Sequence, residues 1–351
     1  MQLYLHPTRP EALTLNDQTT MLTRWSLVTH LAKQLIQHST LPGEPLILPI
    51  GQKIIQGGIT GALDGGLFAH AHCSSANTSR TDLLDLRYWQ DLSLAQTLTI
   101  PGVEAITSLA SSPDGRWLVM GAAIPERLFL FDRLSGEVMS DHFVGGYLTT
   151  GLTFDPTSTF VAGITTYDSE GRFMLWRIEP VERFVPRSEG EHISHDSLSP
   201  DRISGNTALA VVHWDLHNVD GFPVNFGETV GTTAFSSDSR VVVFSFTYDG
   251  VTSPLVAYEV PSGERLWLVD RQGNSLEHFV ITPDGRALIF SNGSCDLFVY
   301  SMDDGRLMQQ LPSGLDEPIK AMAFDHDGKT LWLATRNTLV QYQPSFGVSF
   351  G

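Results

Sequence analysis

The sequence has few cysteines and little positive charge. Its two cysteines among 351 residues, Cys73 and Cys295, supply neither a disulfide framework nor the ligand spacing of a zinc finger. Lysine and arginine number 22 against 39 acidic residues, so the formal net charge is −17. Nucleic-acid backbones are bound through clustered Lys and Arg. The scarcity of thiols therefore favours a reducing compartment, and the charge balance argues against a nucleic-acid partner.

Long hydrophobic runs are also absent, although 42% of the residues are hydrophobic. No apolar stretch approaches the roughly 18 residues that a membrane-spanning helix requires. The first ten residues, MQLYLHPTRP, do not combine a basic segment with a following apolar core, as a secretory signal would. We therefore expect a cytoplasmic protein without a membrane span.

The most informative feature that is present is a repeated turn. Residues 112–116 read SPDGR and residues 282–286 read TPDGR, each between two apolar runs. Proline fixes φ at the second position, aspartate caps the bend and glycine accepts a positive φ, so each segment predicts a β-hairpin. Weaker copies give seven landmarks: Asp64, Asp114, Thr157, Asp201, Asp238, Asp284 and Asp327. Their mean spacing is about 44 residues, within the roughly 40–45 residues of one propeller blade.

A second repeated feature follows the first within the same units. Apolar runs end in an aromatic residue and lead into a glycine turn: Phe131 precedes Gly136, Tyr258 precedes Gly263, and Tyr300 precedes Gly305. A strand, a glycine turn and another strand are indicated in each case. The two turns together predict units of four strands.

These turns and strand ends resemble those of the WD40-like β-propellers, over roughly residues 50–343. The matching strand ends are Phe131-Asp132, Trp176-Arg177, Tyr258-Glu259, Tyr300-Ser301 and Tyr342-Gln343. The chain departs from the regular pattern because its only Trp-Asp pair, Trp214-Asp215, lies in the most divergent unit, and no Gly-His dipeptide opens a unit. The resemblance implies an all-β fold, a seven-bladed β-propeller of the degenerate, bacterial WD40-repeat type.

The domain organisation follows from the repeat. Residues 54–343 are predicted to form the propeller, with blades at 54–100, 105–143, 148–187, 192–228, 230–271, 276–312 and 318–343. Residues 1–53 are predicted to be an N-terminal extension, and residues 344–351 a C-terminal tail. Closing the ring of blades removes exposed sheet edges. We therefore expect a strand at residues 3–5 or 13–15 to complete the last blade. Residues 346–350 are the alternative segment for this strand.

A helix is predicted within that extension, at about residues 21–37. Its apolar residues fall on one face at 100° per residue: Leu22, Trp25, Val28, Ala32, Leu35 and Ile36. Packing against the rim of the propeller is the favoured role for this amphipathic helix. Docking of a partner and binding to a membrane surface are the alternatives.

Histidines are the main candidates for metal ligands. His70 and His72 share a face of a predicted strand, and His213, Asp215 and His217 would share one if their segment is extended. Imidazole and carboxylate groups bind zinc or iron, but no third ligand follows at a diagnostic spacing. The sequence contains no complete catalytic set, so we expect ordinary strand histidines and no cofactor.

Two functions from different classes remain open. The first is a non-enzymatic, monomeric scaffold or adaptor that binds proteins or peptides at a propeller face. Its candidate contact residues, chosen because arginine and large aromatics dominate interfaces, are Arg127, Tyr147, Tyr167, Phe222 and Trp267. The second is a lactonase-like propeller hydrolase with a divalent metal in the central channel. The absence of a catalytic constellation favours the first.

Overall fold

The computed structural model consists of antiparallel β-sheets joined by turns. It describes residues 2–6, 9, 11–16, 21–26, 43–47, 59–63, 66–72, 83–98, 100, 103, 105–124, 126–144, 148–167, 170–180, 202–203, 207–217, 230–247, 255–269, 278–291, 295–325, 328–335 and 339–342. Within these residues strands are the only regular elements, and no helix capable of crossing a membrane is found. The predicted all-β class is confirmed.

The strands of the first three sheets occupy the first part of the chain. They are β1 (Gln2–Leu5), β2 (Glu11–Asn16), β3 (Met21–Ser26), β4 (Gly43–Ile47), β5 (Ile59–Leu63), β6 (Leu67–His72), β7 (Leu83–Tyr88), β8 (Leu94–Leu98), β9 (Ala105–Ser111), β10 (Trp117–Ile124), β11 (Glu126–Asp132) and β12 (Glu137–Phe143). Each set of four pairs in chain order, so every sheet is an antiparallel meander.

Four further sheets follow. The remaining strands of the chain are β13 (Leu148–Phe154), β14 (Phe160–Tyr167), β15 (Glu170–Pro180), β16 (Arg202–Ile203), β17 (Thr207–His217), β18 (Val230–Phe235), β19 (Val241–Thr247), β20 (Leu255–Glu259), β21 (Arg265–Val269), β22 (His278–Ile281), β23 (Ala287–Ser291), β24 (Asp296–Ser301), β25 (Leu307–Pro312), β26 (Ala321–Phe324), β27 (Leu331–Ala334) and β28 (Leu339–Tyr342). The fourth sheet uses β17 as its outer strand, while β16 pairs with β12 of the third sheet. Among the described residues the seventh sheet comprises β26, β27 and β28.

The first strands of successive sheets contact one another in a closed order. β1 contacts β5, which contacts β9, and the contacts continue through β13, β18, β22 and β26 back to β1. Each main cluster of buried hydrophobic residues accordingly lies between two neighbouring sheets, including the seventh and the first. The core is therefore distributed among the sheet-to-sheet contacts.

Strand β11 shows how the sequence produces this arrangement. Its run LFLF, residues 128–131, is apolar on both faces because alternate side chains enter different clusters. Leu128 and Leu130 pack toward the fourth sheet, and Phe129 and Phe131 toward the second. Burying a side chain of this size stabilises the fold by about 1.5–3 kcal/mol. A central strand thus needs a nearly continuous hydrophobic sequence.

The predicted turns between first and second strands share one hydrogen-bond pattern. In the third sheet the Ser112 Oγ accepts the Trp117 amide at 2.8 Å and donates to Asp114, while Gly115 takes φ +70°. The turns beginning at Ser236 and Thr282 repeat this pattern. The turns beginning at Asp155 and Asp325 place a carboxylate where the hydroxyl stands. The turn predictions at these five places are confirmed.

The N-terminal predictions were wrong in two respects. Residues 21–26, expected to begin a helix, form strand β3, which pairs on one side with β2 and on the other with β4. Hydrogen bonding to two neighbouring strands stabilises an extended backbone, and Thr23 and Trp25 also favour strands. Residues 27–37 lie outside the described part. Strands β1 and β2 belong to this first sheet and do not complete the last one.

The divergent unit predicted at residues 192–228 is also different in the structure. Its strand β17 pairs along β15, from Gly171 opposite His217 to Pro180 opposite Thr207. It is therefore the outer strand of the fourth sheet rather than part of a separate unit. The long interval between β15 and β17 disguised their pairing, because the outer strands of most other sheets follow after a short turn.

Candidate interaction surface

The exposed large hydrophobic side chains of the described residues lie on one kind of hairpin. Among the described residues they all lie on the hairpins that join third to fourth strands, and they are Tyr88, Leu94, Leu134, Leu266, Leu268, Leu307 and Met308. Single exposed apolar residues are common on protein surfaces. Their restriction to equivalent hairpins of four sheets identifies the outer edge of the molecule as the candidate surface.

Two of these hairpins pack against each other. We call them the paired hairpins: residues 255–269 of the fifth sheet and 296–312 of the sixth. The indole N–H of Trp267 donates to the Met302 carbonyl at 2.8 Å, and the indole itself is buried. Gly305, at φ +70°, lies against the indole so closely that a Cβ there would be 2.9 Å from a ring atom. The Trp267 contact therefore fixes one hairpin relative to the other.

The paired hairpins expose four apolar side chains. Leu266 and Leu268 alternate with Trp267 along β21 and are 44% and 46% exposed, while Leu307 and Met308 begin β25 at 48% and 43%. Strand periodicity places the two leucines on the face of β21 opposite Trp267. The four exposed side chains therefore lie on two hairpins that the Trp267 contact joins.

Charged residues of both signs, such as Asp304 and Arg306, lie next to these apolar residues in the sequence. Arg306 donates its amide to the Asp304 carboxylate at 3.1 Å. Hydrogen bonding from the Ser301 side chain, and then from the Arg306 amide, holds the pKa of Asp304 below its ordinary value. Asp304 is therefore fully ionised at neutral pH. Exposed apolar side chains with charged neighbours are typical of surfaces that bind other proteins.

Replacing Trp267 by phenylalanine is expected to lower the free energy of unfolding by about 1–2 kcal/mol. The change keeps most of the apolar contact but removes the hydrogen bond to the buried Met302 carbonyl. Urea denaturation of the two proteins measures the difference. An unchanged midpoint would show that the indole N–H does not hold the hairpins together.

The structure places only part of the predicted interaction set. Arg127 and Trp267 were expected to be exposed, but they are 5% and 7% exposed. Arg127 forms an ion pair with Asp141 at 2.6 Å, and this pair compensates the positive charge of the buried guanidinium. Tyr167 is the last residue of β14, and its side chain lies outside the described part of the structure. Tyr147 and Phe222 lie wholly outside that part. Residue type suggested contacts, whereas the packing of neighbouring sheets decided exposure.

The candidate metal ligands fall in two different sheets. His70 is fully buried in β6, with Asp85 of β7 opposite it. The Asp85 carboxylate accepts from the Thr97 hydroxyl and from the Arg87 guanidinium, each at 2.7 Å. His72 follows on the same strand, whereas β17 of the fourth sheet carries the remaining candidates His213, Asp215 and His217.

The described residues contain no group of three His, Cys, Asp or Glu able to hold a metal. The first strands of the seven sheets, which contact one another in closed order, contain no Asp, Glu, Lys or Arg. His278 is their one residue of a common metal-ligating type. These strands supply threonine and serine hydroxyls, which can hydrogen-bond but do not form a divalent-metal site by themselves.

Comparison with known proteins adds no relative from which a function could be transferred. No protein-family model matches the chain, and no curated protein matches it.

Proposed function

We propose that the chain is a seven-bladed, WD40-like β-propeller that acts in the cytoplasm as a monomeric platform for binding proteins. The closed order of contacts among first strands and the hydrophobic cluster between every pair of neighbouring sheets support the ring. Strands β1 to β4 supply its first blade, in place of the unit expected at residues 192–228. The N-terminal residues are then part of the ring rather than an extension to it.

The observation that carries the binding function is the exposed apolar set on the paired hairpins. Leu266, Leu268, Leu307 and Met308 are each at least 43% exposed, although burying them would be favourable by about 25 cal/mol for each Å² of apolar surface. A protein partner with apolar side chains would bury this surface. The charged border formed by residues such as Asp304 and Arg306 would select its orientation.

The alternative is a hydrolase with a divalent metal in the central channel, and it has less support. Its metal would need carboxylate or imidazole ligands converging on the axis, but the first strands provide only His278. Elemental analysis of protein purified without chelator discriminates between the two functions. About one equivalent of a divalent metal would favour the hydrolase, and a content far below one equivalent would exclude it.

Combining Leu268→Glu with Met308→Glu is expected to reduce partner capture at least tenfold. Each charge would have to be desolvated against an apolar partner surface, whereas both side chains are exposed in the free protein, so folding should be unaffected. Tagged protein is used to capture partners from an extract of the source organism. Calorimetry with the purified partner then gives the change in affinity.

Leu134→Glu is the matched control. Leu134 is 70% exposed on the equivalent hairpin of the third sheet, away from the paired hairpins. It should leave capture unchanged. Equal capture by the double variant, the control and the wild type would contradict the paired hairpins as the binding surface.

A further inference from the structure

The inner part of the layer between the third and fourth sheets contains hydroxyl groups where other layers have apolar side chains. Thr149 of β13 and Thr165 of β14 are fully buried. They are directly opposed on neighbouring strands, so both side chains lie on one face of the fourth sheet. That face packs against the third sheet, because a Cβ added to Gly121 of β10 would lie 2.9 Å from both the Thr149 Cβ and the Ser108 Oγ. Three hydroxyl groups thus come together between the two sheets.

None of the three hydroxyl groups has a hydrogen-bond partner within the described part of the protein, although the oxygens of Ser108, Thr149 and Thr165 are all buried. Burying a hydroxyl group without a hydrogen bond is unfavourable, and most buried polar groups are paired with protein or with ordered water. The neighbouring Thr107 shows direct pairing, since its hydroxyl donates to the Thr149 carbonyl at 2.8 Å. Three buried hydroxyl groups in one place therefore indicate a ligand that they share.

The spacing of these groups fits a single small bridging molecule. The Ser108 Oγ and the Thr149 Cβ lie within about 6 Å of each other, because both are 2.9 Å from one point beside Gly121. Directly opposed residues such as Thr149 and Thr165 have Cβ atoms about 4.5–5.5 Å apart. One water molecule joins two oxygens over about 5–6 Å, because each of its hydrogen bonds is about 2.7–2.8 Å long. The separations match this span.

The surroundings of the hydroxyl groups favour a neutral ligand. Strands β9, β10, β13 and β14, which carry the three hydroxyl groups and Gly121, contain no Asp, Glu, Lys or Arg. A buried ion would need an opposite charge from the protein. We propose that Ser108, Thr149 and Thr165 bind an internal water molecule that joins the third sheet to the fourth. Such a water typically makes about three hydrogen bonds to buried polar groups. The inference does not depend on the proposed binding function.

A high-resolution crystal structure tests the site directly. The expected result is an electron-density peak within about 2.6–3.2 Å of at least two of the three hydroxyl oxygens. The same peak should be missing from the Thr149→Val, Thr165→Val double variant, in which methyl groups replace both hydroxyl groups. Ordered solvent elsewhere in the wild-type crystal with no peak between these hydroxyl groups would overturn the inference.

Stability in solution provides a second test, because a shared water and unpaired hydroxyl groups predict opposite signs. With the water bound, Thr149→Val removes hydrogen bonds and should reduce the folding equilibrium constant about fivefold or more, as measured by urea denaturation. Combining it with Thr165→Val should cost less than the sum of the two single losses, since one water serves both residues. Unpaired hydroxyl groups would give valine variants that are equally or more stable than the wild type, and that result would overturn the inference.

Ser140→Ala serves as the control substitution. Ser140 of β12 is buried, and its hydroxyl also lacks a partner among the described residues. The residues opposite it are Leu130 and Ile203, which offer no second hydroxyl group to share a water. The folding equilibrium constant should therefore rise or stay unchanged. A loss equal to that of Thr149→Val would show that the effect does not come from a shared water.

Discussion

Replacing Gly151 by alanine is expected to lower the free energy of unfolding by about 3 kcal/mol or more. Gly151 lies in β13 at φ +61°, which costs other residues about 1–2 kcal/mol. An added Cβ would also lie 2.7 Å from the carbonyl oxygen of Gly231 in β18. The atoms nearest to this Cβ all belong to the backbone, so no side-chain rotation can relieve the overlap. Overpacking of this kind costs about 1–3 kcal/mol more.

The reason for this close approach lies in the hydrogen bonds between β13 and β18. The Gly231 amide donates to the Thr150 hydroxyl oxygen at 3.1 Å, and the Thr233 hydroxyl donates to the Gly151 carbonyl. Between β9 and β13, the Thr107 hydroxyl donates to the Thr149 carbonyl at 2.8 Å. Threonine hydroxyls thus join first strands of neighbouring sheets. A bond from so short a side chain requires the backbones to lie close together.

Gly136→Ala is the matched control for this effect. Gly136 has φ +75°, but a Cβ there would meet no atom within 4 Å. Its substitution should cost only the conformational penalty of about 1–2 kcal/mol. Guanidinium denaturation of both variants separates the two contributions. Equal losses at the two positions would show that the approach of β13 to β18 tolerates a methyl group.

The sequence predicted the later sheets well because their turns have a local chemical signature. A hydroxyl or carboxylate at the first turn position, as at Ser112 and Asp155, bonds backbone amides a few residues later. This interaction requires no knowledge of tertiary structure. The glycine turns at Gly136, Gly263 and Gly305 are specified in the same local way. Turn spacing therefore gave the strand order from β9 to β15 and from β18 to β28.

The first sheet could not be recognised by the same reasoning. Residues 6–10, between β1 and β2, read HPTRP and contain no Asp-Gly signature. The described part of this turn closes instead through the His6 amide, which donates to the Glu11 carbonyl, and through contacts of Arg9 with the His6 ring. The apolar residues around β3 also fit a helical period. Their strand conformation depends on two neighbouring strands, which is information that sequence periodicity lacks.

The sequence did not predict which residues form the candidate surface. Trp267 was chosen as an interface residue, yet it forms the buried contact between two hairpins. The residues that are exposed, Leu266 and Leu268, alternate with it on the same strand. Alternation predicts that two faces exist, but only the position of the neighbouring sixth sheet determines which face is covered. Exposure is a tertiary property and could not be read from residue type.

Asp155 accepts several hydrogen bonds of its turn on one side chain. The buried carboxylate accepts the amides of Phe160 at 2.6 Å, Thr159 at 2.7 Å and Thr157 at 3.0 Å, and also the Thr157 hydroxyl. Burial is the strongest single influence on this carboxyl and opposes its ionisation. The hydrogen bonds that the carboxylate accepts together outweigh burial, so the pKa of Asp155 lies below its ordinary value.

Asp155→Ala is expected to lower the free energy of unfolding at neutral pH by about 3 kcal/mol. The change leaves several buried amides without an acceptor, and each unsatisfied group costs about 1–3 kcal/mol before the turn relaxes. Asp155→Ser should lose only about 1 kcal/mol, because Ser112 and Ser236 serve at the equivalent positions of other turns and accept one amide each. Urea denaturation followed by tryptophan fluorescence measures both variants.

The pH dependence separates the charge of Asp155 from its role as an acceptor. A carboxyl whose pKa is lower in the folded state stabilises the protein above its unfolded pKa of about 3.9. That contribution is lost as the pH falls through the lower pKa of the folded state. The wild type should therefore lose stability more steeply than Asp155→Ser below about pH 4, and the two curves should converge. Parallel curves over the acidic range would show that the ionised carboxylate contributes no more than a hydroxyl.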